Sequence, residues 1–576
     1  MTLAGVTLDW EWEEAELDLL DGPPPSPPPV RRRWATLLAL GAALAVVGAA
    51  TAWNLQGYPG RVNNDEGTYM ARAWAMLYEH HLSNYTYFWD HPFGGWAAIA
   101  GWMRLTDGLA WTSRALMVGR DFMWVVTMIT SVLVFVLARR LGMSRVASAA
   151  AVALFGLSPL AVFYHRLVFL DNLSTMWVVA ALAAAATWRR SLAAVVWSAA
   201  FFAAATWSKE TSALLLPALV WLLVRYTPRR NRVKYLMIFA VIYGGLVGMW
   251  PLLAVVKGEL LPGPGHVSML GESFYQLAVR PGTGTILHYR SATWVQASLW
   301  FHLDRWLPEA GMAAALPALV IRRYRPIAAA IGIQVLYLVK GGYVPYAFVT
   351  VMIPIWALLI SGVADTVWGP GEPASAGSGL GQVGRGWALA WRWTRRIPVI
   401  ALAAGFALVV APQWWGSMRA QASSNGFGTQ DQAVAWVKQH VPAGDIVVCD
   451  DYPWVDIKIR TRAVPVSLWQ VNSDPSVSRM LPQGYKNISY MILDPSSPLM
   501  FAALPGRPTL NDAIRHSTVI KHFGTIRIYK VRVPRPSQLP SSSRGRPAGR
   551  APASPGRDPS DSRTGPAGHL PGQPAF

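Results

Sequence analysis

The sequence predicts a multi-pass α-helical membrane protein of about eleven transmembrane helices, with a small extracytoplasmic α/β domain near its C-terminal end. Three observations predict it. Hydrophobic residues make up 53% of the 576 positions and charged ones only 14%, with a mean hydropathy of +0.27; an ordinary water-soluble domain is less apolar. Eleven stretches approach the roughly 20 apolar residues a helix needs to cross a bilayer. After Trp415 the composition changes to short alternating segments of the kind that build a soluble sheet.

In chain order, residues 1–33 run from acidic to proline-rich, through Asp21-Gly22-Pro23-Pro24-Pro25, and read as a disordered cytoplasmic leader. The expected spans are 34–53, 122–138, 146–164, 173–188, 192–207, 212–224, 235–256, 306–321, 326–339, 344–368 and 397–415. The short pair 192–207 and 212–224 is also compatible with a re-entrant or tilted arrangement. Charge orients the set. With Arg31, Arg32 and Arg33 holding the N terminus inside, every even-numbered span returns to a basic loop. Arg139, Arg140 and Arg145 follow the second, Arg189 and Arg190 the fourth, and Arg225, Arg229, Arg230, Arg232 and Lys234 the sixth. Arg322, Arg323 and Arg325 follow the eighth, and Arg385, Arg392, Arg395 and Arg396 the tenth. Ala50-Thr51-Ala52 also fits a signal-peptide cleavage pattern, but the long preceding segment favours an uncleaved anchor.

The membrane domain therefore covers 34–416, with a first outer segment at 54–121 and a second at 257–305, long enough for a lid or acceptor loop. In the first, Tyr69, Ala73, Met76 and Leu77 fall on one helix face, with Asp65 as its candidate cap. A second amphipathic piece from Gly94 to Leu105 carries Trp96 and Trp102, so both pieces are expected to lie along the membrane surface. Residues 369–384 read as a flexible linker. The α/β domain covers 417–533, with a helix at 430–440 and strands at 445–449, 488–493 and 525–531. Residues 534–576, rich in Pro, Ser, Gly and Arg, read as a disordered tail.

The net charge of +20 sits in the inner loops and the tail, not on a face interleaved with aromatics, so no nucleic-acid partner is expected. The single Cys449 excludes an internal disulfide framework and a multi-cysteine metal site. His80, His81 and His91 match no standard ligand spacing.

The candidate chemistry lies in the outer loops. Asp65-Glu66 places two carboxylates close behind the first span, where ionised groups resist desolvation and suit proton transfer from a hydroxyl. The plain alternative is a helix cap with a solvated neighbour. Asp90-His91-Pro92-Phe93-Gly94-Gly95 reads equally as a turn. Arg166 and Asp171 close the third span, either as an ion pair or as an anion site. Ser208-Lys209-Glu210-Thr211 interrupts the apolar run between the fifth and sixth spans. Lys209 there either holds a phosphate or is neutralised by Glu210. Tyr343 and Tyr346 open the tenth span as belt residues or as lining for a lipid entry.

These segments, in this order, resemble the GT-C superfamily, family 39 in particular, which includes protein O-mannosyltransferases and aminoarabinose transferases. Asp65-Glu66, His91-Pro92, Arg166 with Leu170-Asp171, Ser208-Lys209-Glu210-Thr211 and Tyr343 with Pro345 carry the resemblance across roughly 55–355. It implies an inverting transfer from a polyprenyl-phosphate sugar outside the cytoplasmic membrane to a protein, lipid or glycan hydroxyl. By it, Asp65 is the base, Glu66 its neighbour in the acceptor site, and Arg166 and Lys209 the cations for the lipid phosphate. No metal or other cofactor is implied; the lipid-linked sugar is a substrate. His91-Pro92-Phe93-Gly94 lacks the family's usual second proline, which leaves the donor sugar open. A secondary transporter and a non-catalytic glycan-binding scaffold are the competing readings. The long first outer loop and the carboxylate-and-cation set weigh against both.

Overall fold

The computed structural model describes residues 31–187, 191–369, 396–495 and 506–532. Residues 1–30 of the expected leader, the linker beyond Gly369 and the expected tail lie outside the described residues. Within the described residues each of the eleven apolar stretches is largely helical, although 344–347 precede their helix. The first is α1 (Arg31–Ala52), which also takes in the three arginines assigned to the leader. Among the described residues five helices are long and apolar enough to cross a membrane: Trp34–Ala52, Ala115–Arg140, Arg229–Val256, Phe348–Trp368 and Ile397–Ala422. Arg145–Leu157 and Pro159–Arg166 together make a sixth, bent by 63°. Leu170–Ala185, Leu192–Ser208 and Trp306–Val320 are shorter apolar helices.

Contacts between loops show which helix ends share a side. The first outer segment reaches the second, where the Tyr87 hydroxyl donates to Glu272 at 2.8 Å and Trp89 Nε1 to Glu259 at 3.0 Å. It also reaches the C-terminal domain, where Thr68 donates to Asp451 at 2.5 Å. At the other end, Arg323 donates to the Gly142 carbonyl at 3.0 Å and the Ser144 amide to Asp365 at 2.9 Å. The loops after the second and eighth expected spans therefore meet each other and the C-terminal end of the tenth, as alternating crossings require.

Helix α1 is built into this body. Val47 is buried, Trp124 Nε1 donates to the Gly48 carbonyl at 3.1 Å, and a Cβ on Gly156 would come within 2.3 Å of Val47.

The first outer segment departs from expectation. Helices α2 (Asp65–Tyr78) and α3 (Gly94–Thr106) do not both lie along the surface. Most of α2 is buried because Met70, Ala71, Ala73, Trp74 and Ala75 make it apolar nearly all round, and such a helix needs cover on every side. The C-terminal domain supplies it: Trp74 and Trp454 meet edge to face at 5.8 Å. Trp96 is a core residue whose Nε1 donates to the Leu82 carbonyl at 2.9 Å.

The C-terminal domain is a five-stranded mixed sheet in the order β2-β1-β3-β5-β4. β1 (Ile446–Cys449), β2 (Val464–Ser467) and β3 (Ile488–Leu493) are parallel, while β5 (Ile526–Val531) runs antiparallel to β3 and to β4 (Ser517–Phe523). A helix, Gly428–His440, packs against β4 and β5 as expected for 430–440. β2 and β4 were not expected. β2 carries Pro465, which an edge strand tolerates, and β4 is mostly exposed and polar.

Candidate active site

The site forms where the helix breaks of the membrane domain face the first outer segment. The helix Leu192–Ser208 ends because Lys209 adopts an extended conformation, and a 3-10 turn then starts at Glu210. Gly94 and Gly95 bring the first outer segment onto that break. A Cβ on Gly94 would lie 2.8 Å from the Trp207 carbonyl oxygen, and one on Gly95 would lie 2.6 Å from Leu170. The glycines of the Asp90–Gly95 motif thus permit an approach that any side chain would block.

The approach places His91 between the two charges of the next motif. Its Nδ1 is 3.0 Å from Glu210 Oε2, and its Nε2 is 2.8 Å from Lys209 Nζ. An ammonium can only donate, so Nε2 must accept and Nδ1 must carry the proton to Glu210, which assigns the tautomer from the network. Lys209 is 4% exposed and lies in the field of Glu210, Asp171, Asp65 and the Tyr343 hydroxyl. Asp171 stands in the first turn of Leu170–Ala185, where the helix dipole favours a carboxylate.

Asp65 is exposed at the mouth of this group. It is not the cap expected. Asn64 occupies that position, and the Asp65 amide donates to Asn63 Oδ1 at 2.8 Å. Burial, together with Asp65, Asp171 and Asp90, pushes the nearby Tyr69 phenol well above its ordinary value. Burial also opposes ionisation of Asp90. Arg72, bonded to both its oxygens at 2.8 and 3.2 Å, and then His91 and Lys209 outweigh that, holding its carboxyl below the usual range.

Six predicted residues therefore converge: Asp65, His91, Asp171, Lys209, Glu210 and Tyr343. The other three sit apart from them. Glu66 is fully buried, paired to Arg120 at 3.1 and 3.2 Å, and accepts the Val168 amide at 3.0 Å. Its carboxylate ties α2 to Ala115–Arg140 and to the loop before Asp171. Arg166, read from sequence as a phosphate ligand or the partner of Asp171, closes the C-terminal end of α1 instead. It donates to the Ala50 and Trp53 carbonyls at 2.9 and 2.8 Å and to the Tyr58 carbonyl at 3.4 Å. Unpaired carbonyls at a helix end need donors, and a buried guanidinium supplies them. Tyr346 packs its ring 5.6 Å from Tyr164.

Two site residues lay outside the sequence reading. Arg72 had a signal, a lone cation within an apolar helix stretch seven residues after Asp65. Arg280 had none. It follows the short turn Tyr275–Val279 in the second outer segment, its guanidinium lies 3.3 Å from the Tyr343 ring centroid, and its Nη1 donates to Gln276 at 2.5 Å. Among the described residues it has no carboxylate partner. Gly341 and Gly342, at φ +80° and +111°, aim Tyr343 at it, and the Gly342 carbonyl accepts the Thr283 amide at 2.8 Å. No group of three or more His, Cys, Asp and Glu side chains among the described residues is placed to hold a metal ion.

Residues 90–254 match the family model for dolichyl-phosphate-mannose-protein mannosyltransferases. The chain is also similar to the solved structure of ArnT from Cupriavidus metallidurans bound to undecaprenyl phosphate. That match has a TM-score of 0.54 and 15% identity, over 86% of this chain and 97% of that one. The chain shares the fold of that structure. The apo state of the same ArnT aligns at a TM-score of 0.51 and 14% identity, over 87% of this chain and 98% of that one. The comparison with curated proteins returned no match. The stretch matched by the family model holds His91, Asp171, Lys209 and Glu210, while Asp65, Arg280 and Tyr343 fall outside it.

Proposed function

We propose that this protein is a glycosyltransferase that uses a polyprenyl-phosphate sugar at the outer face of the cytoplasmic membrane. On this reading it inverts the anomeric centre and delivers a hexosyl or pentosyl group to a protein, lipid or glycan hydroxyl. The convergence of an exposed carboxylate, Asp65, with the buried cation Lys209 carries the reading. Asp65 takes the proton as the acceptor oxygen attacks the anomeric carbon. The bond from that carbon to the phosphate oxygen breaks on the opposite face, and the electron pair leaves with the polyprenyl phosphate. Lys209 and Arg280 offset the charge that develops there, and in a water-poor site such fixed cations act strongly. Asp171 and Glu210 hold Lys209 ionised, and His91 fixes Glu210. Arg280 takes the place in this scheme that the sequence assigned to Arg166.

Asp65→Asn keeps the size of the side chain and removes its capacity to accept a proton. Transfer of a labelled sugar from polyprenyl phosphate by the purified protein should fall at least ~100-fold, with donor binding little changed. Turnover near wild type in that variant would exclude Asp65 as the base.

A further inference from the structure

The C-terminal domain touches the turn that carries Asp65 more closely than a neighbouring domain needs to. Asp451 and Tyr452 lie just beyond the C-terminal end of β1, after Asp450, and meet every residue from Val62 to Thr68 except Asp65 itself. The Tyr452 hydroxyl accepts the amides of Val62 and Asn63, both at 2.9 Å, and donates to the Asn63 carbonyl at 2.6 Å. It also lies 3.3 Å from Glu66 Oε2. The Asp451 amide donates to Asn64 Oδ1 at 3.0 Å, and its carboxylate accepts the Thr68 hydroxyl at 2.5 Å. Between these contacts Gly67 packs so tightly that a Cβ there would lie 2.2 Å from the Asp451 carbonyl carbon. Asn63, fixed by Tyr452, in turn accepts the Asp65 amide at 2.8 Å.

Packing alone does not call for this arrangement. Apolar pairs such as Trp74 with Trp454 already bury the shared face. The polar bonds instead fix the backbone on both sides of the one exposed carboxylate in the turn, and placing a reacting group to within about 1 Å is worth large factors in rate. We propose that Asp451 and Tyr452 are positioning residues for Asp65, which makes the C-terminal domain a working part of the active site. This rests on the reading of Asp65 as the base. Neither residue touches the reacting atoms; both act through the first turn of α2.

The test uses full-length enzyme, with turnover expressed per donor-binding site so that loss of folded protein does not count. Thr68→Val keeps the shape and removes the bond to Asp451, whereas Thr68→Ser keeps the bond. Thr68→Val should lower kcat roughly tenfold with donor KM within about twofold of wild type, and Thr68→Ser should stay near wild type. Tyr452→Phe should resemble Thr68→Val. In the Asp65→Asn background Thr68→Val should cost nothing more, because a positioning residue acts only through the group it positions. Losses that multiply in the double variant, or wild-type turnover in Thr68→Val while Asp65→Asn is inactive, overturn the positioning role and leave the base reading intact. Wild-type turnover in Asp65→Asn overturns both.

Discussion

At the scale of single residues, the three cations of the outer loops differ by what already occupies them. Arg166 has carbonyl acceptors at 2.8 and 2.9 Å and is buried among them, with its Nε left without a partner among the described residues. Lys209 is buried among acidic neighbours with His91 as its close contact. Arg280 is only partly buried, held by an amide and an aromatic face. An anion can add to that environment without displacing a carboxylate. Arg280→Ala should therefore weaken donor use by on the order of 1.5–3 kcal/mol in transition-state binding, the worth of a hydrogen bond to a charged group. Arg166→Ala should instead lower thermal stability, since it leaves helix-end carbonyls buried without donors, and the folded fraction should use donor nearly normally. Donor titrations and melting curves on both variants separate the roles. Normal donor use in Arg280→Ala, or a lost donor site with unchanged melting in Arg166→Ala, would return the phosphate to Arg166.

At the scale of elements, legibility followed the length of the pattern. Long apolar runs announce helices whatever surrounds them, and the shorter ones among the eleven were readable too, as were the strands at 446–449, 488–493 and 526–531, whose apolar character comes from burial within the sheet. What the chain does not announce is who covers whom. Glu66 and Asp65 are identical to a reader of sequence, two carboxylates side by side. They part only because successive residues on a helix point about 100° apart, one toward Arg120 and the other toward solvent. Arg280 gave no signal because its partner, Tyr343, is 63 residues away and reaches it through two glycines in left-handed conformation.

The contact between domains also carries a dependence on pH. Burial raises Asp450 to about 7 from an ordinary 3.8; Asp451 and Asp494 add to the rise and Arg61 opposes it. Burial raises Asp451 to about 6, with Asp65 adding to the rise and Ser467, Thr68 and Arg72 opposing it. In both the folded protein holds a proton that the unfolded chain releases. Their contribution to stability is thus complete below 3.8 and is lost as pH rises through about 6 for Asp451 and about 7 for Asp450. Asp450→Asn, which cannot ionise, should match wild type in acid and melt higher than wild type above neutrality. Melting curves across that range test this, and a difference that stays constant with pH would show that Asp450 does not titrate there.

At the scale of the whole molecule, the contacts between loops constrain the crossings more tightly than helix length does. The first outer segment touches both the second outer segment and the C-terminal domain, so all three share a side and each pair must be separated by an even number of crossings. Six expected spans lie between the two outer segments, and four between the second segment and the domain. Both numbers are even, and the helix α1 ahead of them makes the total odd. The helix break at Lys209 falls on the same side, since His91 of the first outer segment meets it. We therefore propose that Leu192–Ser208 and Leu216–Tyr226, each short alone, are two crossings that meet at the site. We propose that this side is the outer one, because Arg139, Arg140, Arg322, Arg323 and Arg325 all belong to the opposite end and basic loops favour the inside. A reporter fused after Trp415 should therefore be external, and one placed within 369–384 should be cytoplasmic. Labelling of single cysteines at the same two positions in intact cells, after replacement of Cys449, gives an independent reading. If both positions lie on one side, the span at 397–415 does not cross. The parity argument then fails, and with it the placement of Asp65, Lys209 and the C-terminal domain at the outer face.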